Sequence, residues 1–203
     1  MRPCIISWRT FPWKPFMTSL LDRAHTWVVD YVNVRHLERT LDWLLELDPH
    51  ASEAAQLAAL THDMERHFPG PDEPRVEATT RGWGDPLYNE AHSKRSARIV
   101  AGWLREQGAD PTLIEHVVRL IEVHEDGGWP EADLVQAADS LSFLETNVEY
   151  FLSWIPVGRY GVNRYDIFAK IVYMYERIRP VRARELARPL YDEAVRTILA
   201  WSG

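Results

Sequence analysis

A single cysteine, Cys4, stands in 203 residues. That excludes an internal disulfide framework and a multi-cysteine zinc site. No apolar run approaches the about 18–20 residues of a membrane span. The N-terminal stretch MRPCIISWRTFPWKPF has no continuous hydrophobic segment of the signal-peptide kind, so a cytoplasmic location is expected. Basic charge is scarce: 23 lysines and arginines against 30 acidic residues leave a formal net charge of -7. Bulk binding to nucleic acid is therefore not expected, although residues 161–203 are net basic and offset a more acidic remainder. β-Hairpin turn signals, internal repeats and low-complexity tracts are also missing.

What is present is an ordinary globular composition, 46% hydrophobic and 26% charged. A chain of this length buries about 70% of its unfolded surface and needs no staples. Nine tryptophans are many; such residues line pockets or subunit interfaces, and a homodimer is one expectation.

Almost every periodic segment reads as helix, so the expected fold is all-α. Residues 1–17, with three prolines, read as an irregular arm, 18–160 as the main helical domain, and 161–203 as a helical extension packed on it. Thr18 is the expected cap of a helix running to about Asp30. Asn33 caps the next, whose apolar face is Leu37, Leu41, Leu44, Leu45 and Leu47. Ser52 opens a third, expected to reach His67. Residues 69–87 form one long irregular stretch rich in proline and glycine, with Trp83 between two glycines as a candidate lid tip. Further helices are expected over 88–107, 111–124, 131–154, 165–178 and 182–200.

The histidines carry the chemistry. His62 and Asp63 are adjacent, and on a helix they point about 100° apart, yet both reach an ion lying beside the helix. His36 sits on the preceding, antiparallel helix. Asp139 lies among Ala137, Ala138, Leu141 and Phe143, where a carboxylate is costly to bury unless paired or metal-bound. His92 and His124 extend the set to four histidines and two aspartates, with Asp63 able to bridge two ions. Mixed imidazole and carboxylate donors suit one or two divalent ions of Fe, Mn, Zn, Co or Ni. Arg95 shares a helix face with His92 and is a candidate for meeting an anionic substrate. Lys170 lies between Phe168 and Val172, and a buried lysine needs a partner. The run Arg177, Arg179, Arg182, Arg184 and Arg188 reads as a solvated face or an interface rim.

The order His36, then His62-Asp63, 26 positions on, then Asp139 resembles the HD superfamily of metal-dependent phosphohydrolases, over roughly residues 20–150. With His92 and His124 it looks like the superfamily's six-ligand pattern, found in dinuclear cyclic-dinucleotide phosphodiesterases and in mixed-valent di-iron oxygenases. The resemblance implies His36, His62, Asp63 and Asp139 as ligands of a first ion, and Asp63, His92 and His124 as ligands of a second. Arg66 falls where dinuclear members often carry a lysine that touches substrate. Mononuclear nucleotide phosphohydrolases carry a glutamate there, and this chain has Glu65 one position earlier. The glycine-tyrosine-proline element of the cyclic-dinucleotide enzymes is absent after His92. The expected function is metal-dependent hydrolysis of a small phosphate ester, a nucleotide among the possibilities, with Asp63 and Arg66 as catalytic residues and Arg66, Arg95 and Lys170 on the substrate. The alternatives are a di-iron oxygenase of a small polar or phosphonate substrate and a non-catalytic metal-stabilised module.

Overall fold

The computed structural model describes residues 18–74 and 84–202. The expected arm over 1–17 and the loop tip at Trp83 lie outside the described residues. Among the described residues there are helices and turns and no strand, so the fold is all-α. None of the helices is long and apolar enough to cross a membrane.

Local chemistry sets most helix starts. Helix α1 (Leu20–Val28) is capped by Ser19 rather than Thr18. The amide of Asp22 donates to Ser19 Oγ and the amide of Ser19 donates to Asp22 Oδ2, each at 3.0 Å. This reciprocal box requires an acidic side chain three residues on; from Thr18 that place is Leu21. Helix α2 (Val34–Leu47) buries Leu37, Leu41 and Leu44 together with His36. Asn33 precedes it without a side-chain capping bond. Ser52 caps α3 (Glu53–Thr61), accepting from the amide of Ala55 at 3.1 Å. Asp85 and Asp110 each cap a helix with proline at its first position, α4 (Pro86–Glu106) and α5 (Pro111–Glu122), where the missing N–H costs nothing. Helices α6 (Pro130–Thr146), α7 (Val148–Leu152), α8 (Arg164–Glu176) and α9 (Val181–Ala200) complete the chain. A second capping box, Asn163 with Asp166, starts α8.

Three differences from the expected boundaries bear on the site. Helix α3 does not reach His67. It ends at Thr61, whose hydroxyl donates back to the Leu57 carbonyl at 2.7 Å, a bond that bends helices. A separate 3-10 turn then spans Met64–His67. Helix α5 stops at Glu122, so His124 lies in the turn beyond it. The segment expected as one helix over 131–154 breaks at Asn147, just after Thr146 back-bonds to the Ser142 carbonyl at 2.8 Å.

Helix α6 organises the packing. It lies against α2, α3, α7, α8 and α9. Ala132, Val135 and Ala138 face a core built from α1 to α5, where Leu37, Leu44, Leu57, Leu104 and Leu120 are fully buried. Ala137, Leu141, Phe143 and Leu144 face a second core with Ile167, Ile171, Met174 and Ile178. The run Gln136–Leu144 is buried on every side, the signature of a central helix. Its alanines and serines let neighbouring helices approach closely enough to bring polar side chains together around Asp139.

Gly127 ends the turn that carries His124. Its φ is +67°, and a Cβ there would collide with Asp133 Oδ1 and Arg179 Nη1. Both are ends of side chains that can shift, so the backbone conformation dominates. Gly127→Ala is expected to lower stability by about 1–2 kcal/mol, read as a lower urea midpoint at unchanged m-value.

Candidate metal centre

Two helix ends use the same device. Where α3 ends, His62 Nδ1 donates to the carbonyl of Ala59, three residues back, at 3.0 Å. Just beyond the end of α5, His124 Nδ1 donates to the carbonyl of Ile121, again three residues back, at 2.7 Å. Ser93 Oγ also lies 3.2 Å from that nitrogen. Each histidine therefore consumes an orphan C-terminal carbonyl and turns Nε2 away from its helix. Each is followed by an acid, Asp63 in one case and Glu125 in the other.

The other two histidines are held just as firmly. His36 Nδ1 donates to Ser142 Oγ at 2.9 Å, and that hydroxyl donates to the His36 carbonyl at 2.7 Å. His92 Nδ1 donates to Glu65 Oε1 at 2.8 Å. These hydrogen bonds place a proton on Nδ1 in all four rings, so it is Nε2 that is turned toward a ligand, as partners behind metal-binding histidines do. The rings converge: His62 lies 5.3 Å from His36 and 5.0 Å from His124, and His92 lies 5.2 Å from His124, centre to centre.

Carboxylates fill the gaps between them. Asp139 Oδ1 is 3.1 Å from His36 Nε2 and 3.5 Å from His62 Nε2. Asp63 Oδ1 is 3.0 Å from His92 Nε2. Even so, Nε2 of His62 and Nε2 of His92 are buried with no directed hydrogen bond, a cost of about 1–3 kcal/mol each. Three overlapping sets place their donor atoms within 4.8 Å of one another: His36, His62 and Asp139; His62, Asp63 and His124; His92, His124 and Glu125. Such groups can coordinate a divalent metal ion, and the two orphaned nitrogens fit one. The structure thus gathers all six residues singled out in the sequence and adds Glu125.

The charges are strongly coupled. Burial opposes protonation of His62, but the charges of Asp139 and Asp63 outweigh it and hold the ring at about 9. Burial and the His62 charge push His124 down to about 4. Burial would raise Asp63 and Asp139, yet Arg66 and His92 keep Asp63, and Arg177 and His62 keep Asp139, well below the usual carboxylate range. Against its own burial, Glu125 is held at about 2 by Arg177, Lys170 and His124.

A cavity of about 560 Å³ opens beside the cluster. His36, Asp63, Glu125 and Asp139 line one side of it, with Arg66, Arg159 and Lys170 also on its walls. Phe143, Tyr150, Phe151 and Trp154 form an aromatic part of the lining. Arg66 is half-exposed, with Nε 3.3 Å from Asp63 Oδ1. Lys170 is buried, its ammonium 5.0 Å from the Tyr173 ring centre; burial pulls its pKa down, against the pull of Glu125. Arg95 does not line the cavity. It donates to the Glu65 carbonyl at 2.7 Å, to Glu65 Oε2 at 2.9 Å and to the Phe68 carbonyl at 2.6 Å. It therefore stands behind Glu65, which in turn holds His92. Arg177 is not on a solvated face: its side chain is 8% exposed and ion-pairs with both Glu125 and Asp139.

Sequence reasoning passed over Glu125, Ser142 and the inward turn of Arg177, and it named Glu65 only for its place before Arg66, not as the partner of His92. The one signal within reach was the repetition of His62-Asp63 by His124-Glu125, each pair closing a helix of small and aliphatic residues.

No curated protein and no solved structure matches the chain. A family profile does, over residues 24–186, a span that takes in every residue of the centre from His36 to Arg177. The chain therefore belongs to the family described as a domain of unknown function, DUF4202.

Proposed function

We propose that this protein is a metal-dependent hydrolase of a small phosphate ester, a nucleotide being one candidate. The reading accords with the HD-superfamily resemblance of the His36, His62-Asp63, Asp139 order. The observation that carries it is the convergence of two orphaned, buried imidazole nitrogens and three carboxylates beside a cavity whose walls also bear cations. His36, His62 and Asp139 would hold one ion, and His92, His124 and Glu125 a second, with Asp63 between them. Bound ions of this class lower the pKa of a coordinated water and polarise a phosphoryl oxygen.

The chain's own residues supply the rest. Arg66, half-exposed on the wall, presents a planar fork that matches two phosphate oxygens. Fixed in place by Asp63, it neutralises developing charge with little reorganisation. Lys170 and Arg159 add positive charge on the same cavity. Asp63, held ionised, accepts a hydrogen bond from an attacking water, and Tyr31, whose hydroxyl is 3.5 Å from Asp63 Oδ2, orients that carboxylate. Phe143, Tyr150 and Phe151 receive the organic part of the ester. Arg95 acts from behind, through Glu65, to keep His92 in place.

The test is a panel of nucleotides, cyclic nucleotides, sugar phosphates and phosphonates. It is run without oxygen in Mn or Co, and in air with reduced iron, following phosphate release and oxygen uptake separately. Anaerobic phosphate or monoester release, slowed about 100-fold in Arg66→Ala, is the expected result. Oxygen uptake coupled to substrate loss, with no anaerobic turnover, would replace this reading by the oxygenase. Stoichiometric metal with neither reaction would favour the metal-stabilised module.

A further inference from the structure

Most of the metal centre belongs to α2, α6 and the turns after α3 and α5, yet one buried cation reaches it from the residue that ends α8. Arg177 donates from one terminal nitrogen to Glu125 Oε2 and from the other to Asp139 Oδ2. Its Nε donates to Ser140 Oγ at 2.8 Å, which fixes the plane of the guanidinium. The three side chains are 6–8% exposed. On Asp139 the oxygen that Arg177 takes is not the one turned to the histidines: it is Oδ1 that faces His36 and His62. On Glu125, Oε2 is shared by Arg177 and by the Tyr173 hydroxyl at 3.4 Å, leaving Oε1.

We propose that Arg177 is the positioning residue of the metal centre: it serves as a counter-cation to Asp139 and Glu125 and makes each present one oxygen, not two, to an ion. The inference rests on the metal-centre reading. Two carboxylates buried this deeply need a compensating charge at all times. In the metal-free protein Arg177 ion-pairs with both of them. In the loaded protein the ion shares the task. The guanidinium and the ion therefore partly substitute for one another, unlike a structural ion pair, which contributes equally whether or not metal is present. Geometry gives the same guanidinium a second duty, since a fork holding one oxygen of each carboxylate blocks bidentate capture of the ion.

The experiment measures thermal midpoints of wild-type protein, Arg177→Gln and Arg177→Lys, each after chelation and after saturation with Co or Mn. Wild type should show a metal-dependent rise. In Arg177→Gln the metal-free midpoint should fall by about 10 °C while the loaded midpoint falls much less, so the metal-dependent rise grows. Arg177→Lys, which keeps the charge but not the fork, should lie between the two. If Arg177→Gln does not fold without metal, the lysine variant carries the comparison, and its rise must still exceed that of wild type. Equal losses in the metal-free and loaded states, or a smaller rise in the variants, would overturn the inference while leaving the metal site intact. A wild-type protein that neither retains nor takes up metal would overturn the metal-site reading itself, and this inference with it.

Discussion

Asp63→Ala is expected to lose metal and turnover together, the largest effect of any single substitution considered. Asp63 stands between the two histidine groups, with His92 Nε2 at 3.0 Å, Arg66 Nε at 3.3 Å and the Tyr31 hydroxyl at 3.5 Å. Removing its carboxylate takes one donor from the middle set of His62, Asp63 and His124. It also takes from the Arg66 guanidinium its nearer carboxylate, leaving only Glu65 at 4.0 Å. Loss of a partner one layer out already costs metal sites about 10–100-fold in affinity, so loss of a donor should cost at least about 100-fold. Turnover should fall by on the order of 10³, because charge stabilisation and positioning fail at once. The check is elemental analysis after dialysis, beside turnover and a circular-dichroism spectrum that keeps its helical signal. A variant that retains full metal but not activity would make Asp63 a proton acceptor and not a ligand. One that retains both would remove it from the site.

The metal-free protein should be most stable near pH 6.5 and less stable on both sides. His62, raised to about 9 in the fold, binds its proton more tightly folded than unfolded. Its contribution is full below about 6.5 and is lost as pH rises through 9. His124, lowered to about 4, has the opposite sign. Its contribution is full above about 6.5 and is lost as pH falls toward 4. Each is worth on the order of 3 kcal/mol. His92, also raised through Asp63 and Glu65 against its burial and Arg66, adds to the alkaline loss. Metal requires the deprotonated rings, so loading should remove the alkaline decline and release protons at pH 7–8. Thermal midpoints across pH 5–9.5, with and without chelator, read both effects. A metal-free midpoint that stays flat from 6.5 to 9 would show that His62 is not protonated in the fold.

The helical architecture was legible because it rests on local chemistry. Ser52, Asp110 and the Leu37, Leu41, Leu44 stripe declare themselves through short-range rules of capping and periodicity. The end of α3 was not legible. Thr61, His62 and Asp63 include no glycine or proline, and the chain leaves the helix there through a threonine back-bond and a histidine that takes its own helix's carbonyl. The centre divides along the same line. His36, His62, Asp63, His92, His124 and Asp139 stand out in the sequence because of their order and spacing and because Asp139 sits in an apolar run. Glu125 looks like one more acid in a turn. Arg177 looks like one more arginine in a basic run, and only tertiary packing against α6 decides which member of that run points inward. Spacing puts Arg95 on the helix face of His92 and makes it a candidate for an anionic substrate, but spacing does not say that Glu65 engages its guanidinium.

The pairing of His36 with Ser142 joins positions 106 residues apart in the chain, and the remaining donors lie between them. An ion at this centre would close several long loops at once, and loop closure is a cost the chain meets only after its distant parts have already found each other. The centre can form only once α2 has docked on α6, because His36 and Asp139 lie on those two helices. A metal held this way reports on the whole tertiary structure: fraying of a terminus leaves it bound, while separation of α2 from α6 splits its ligand set and releases it in one step.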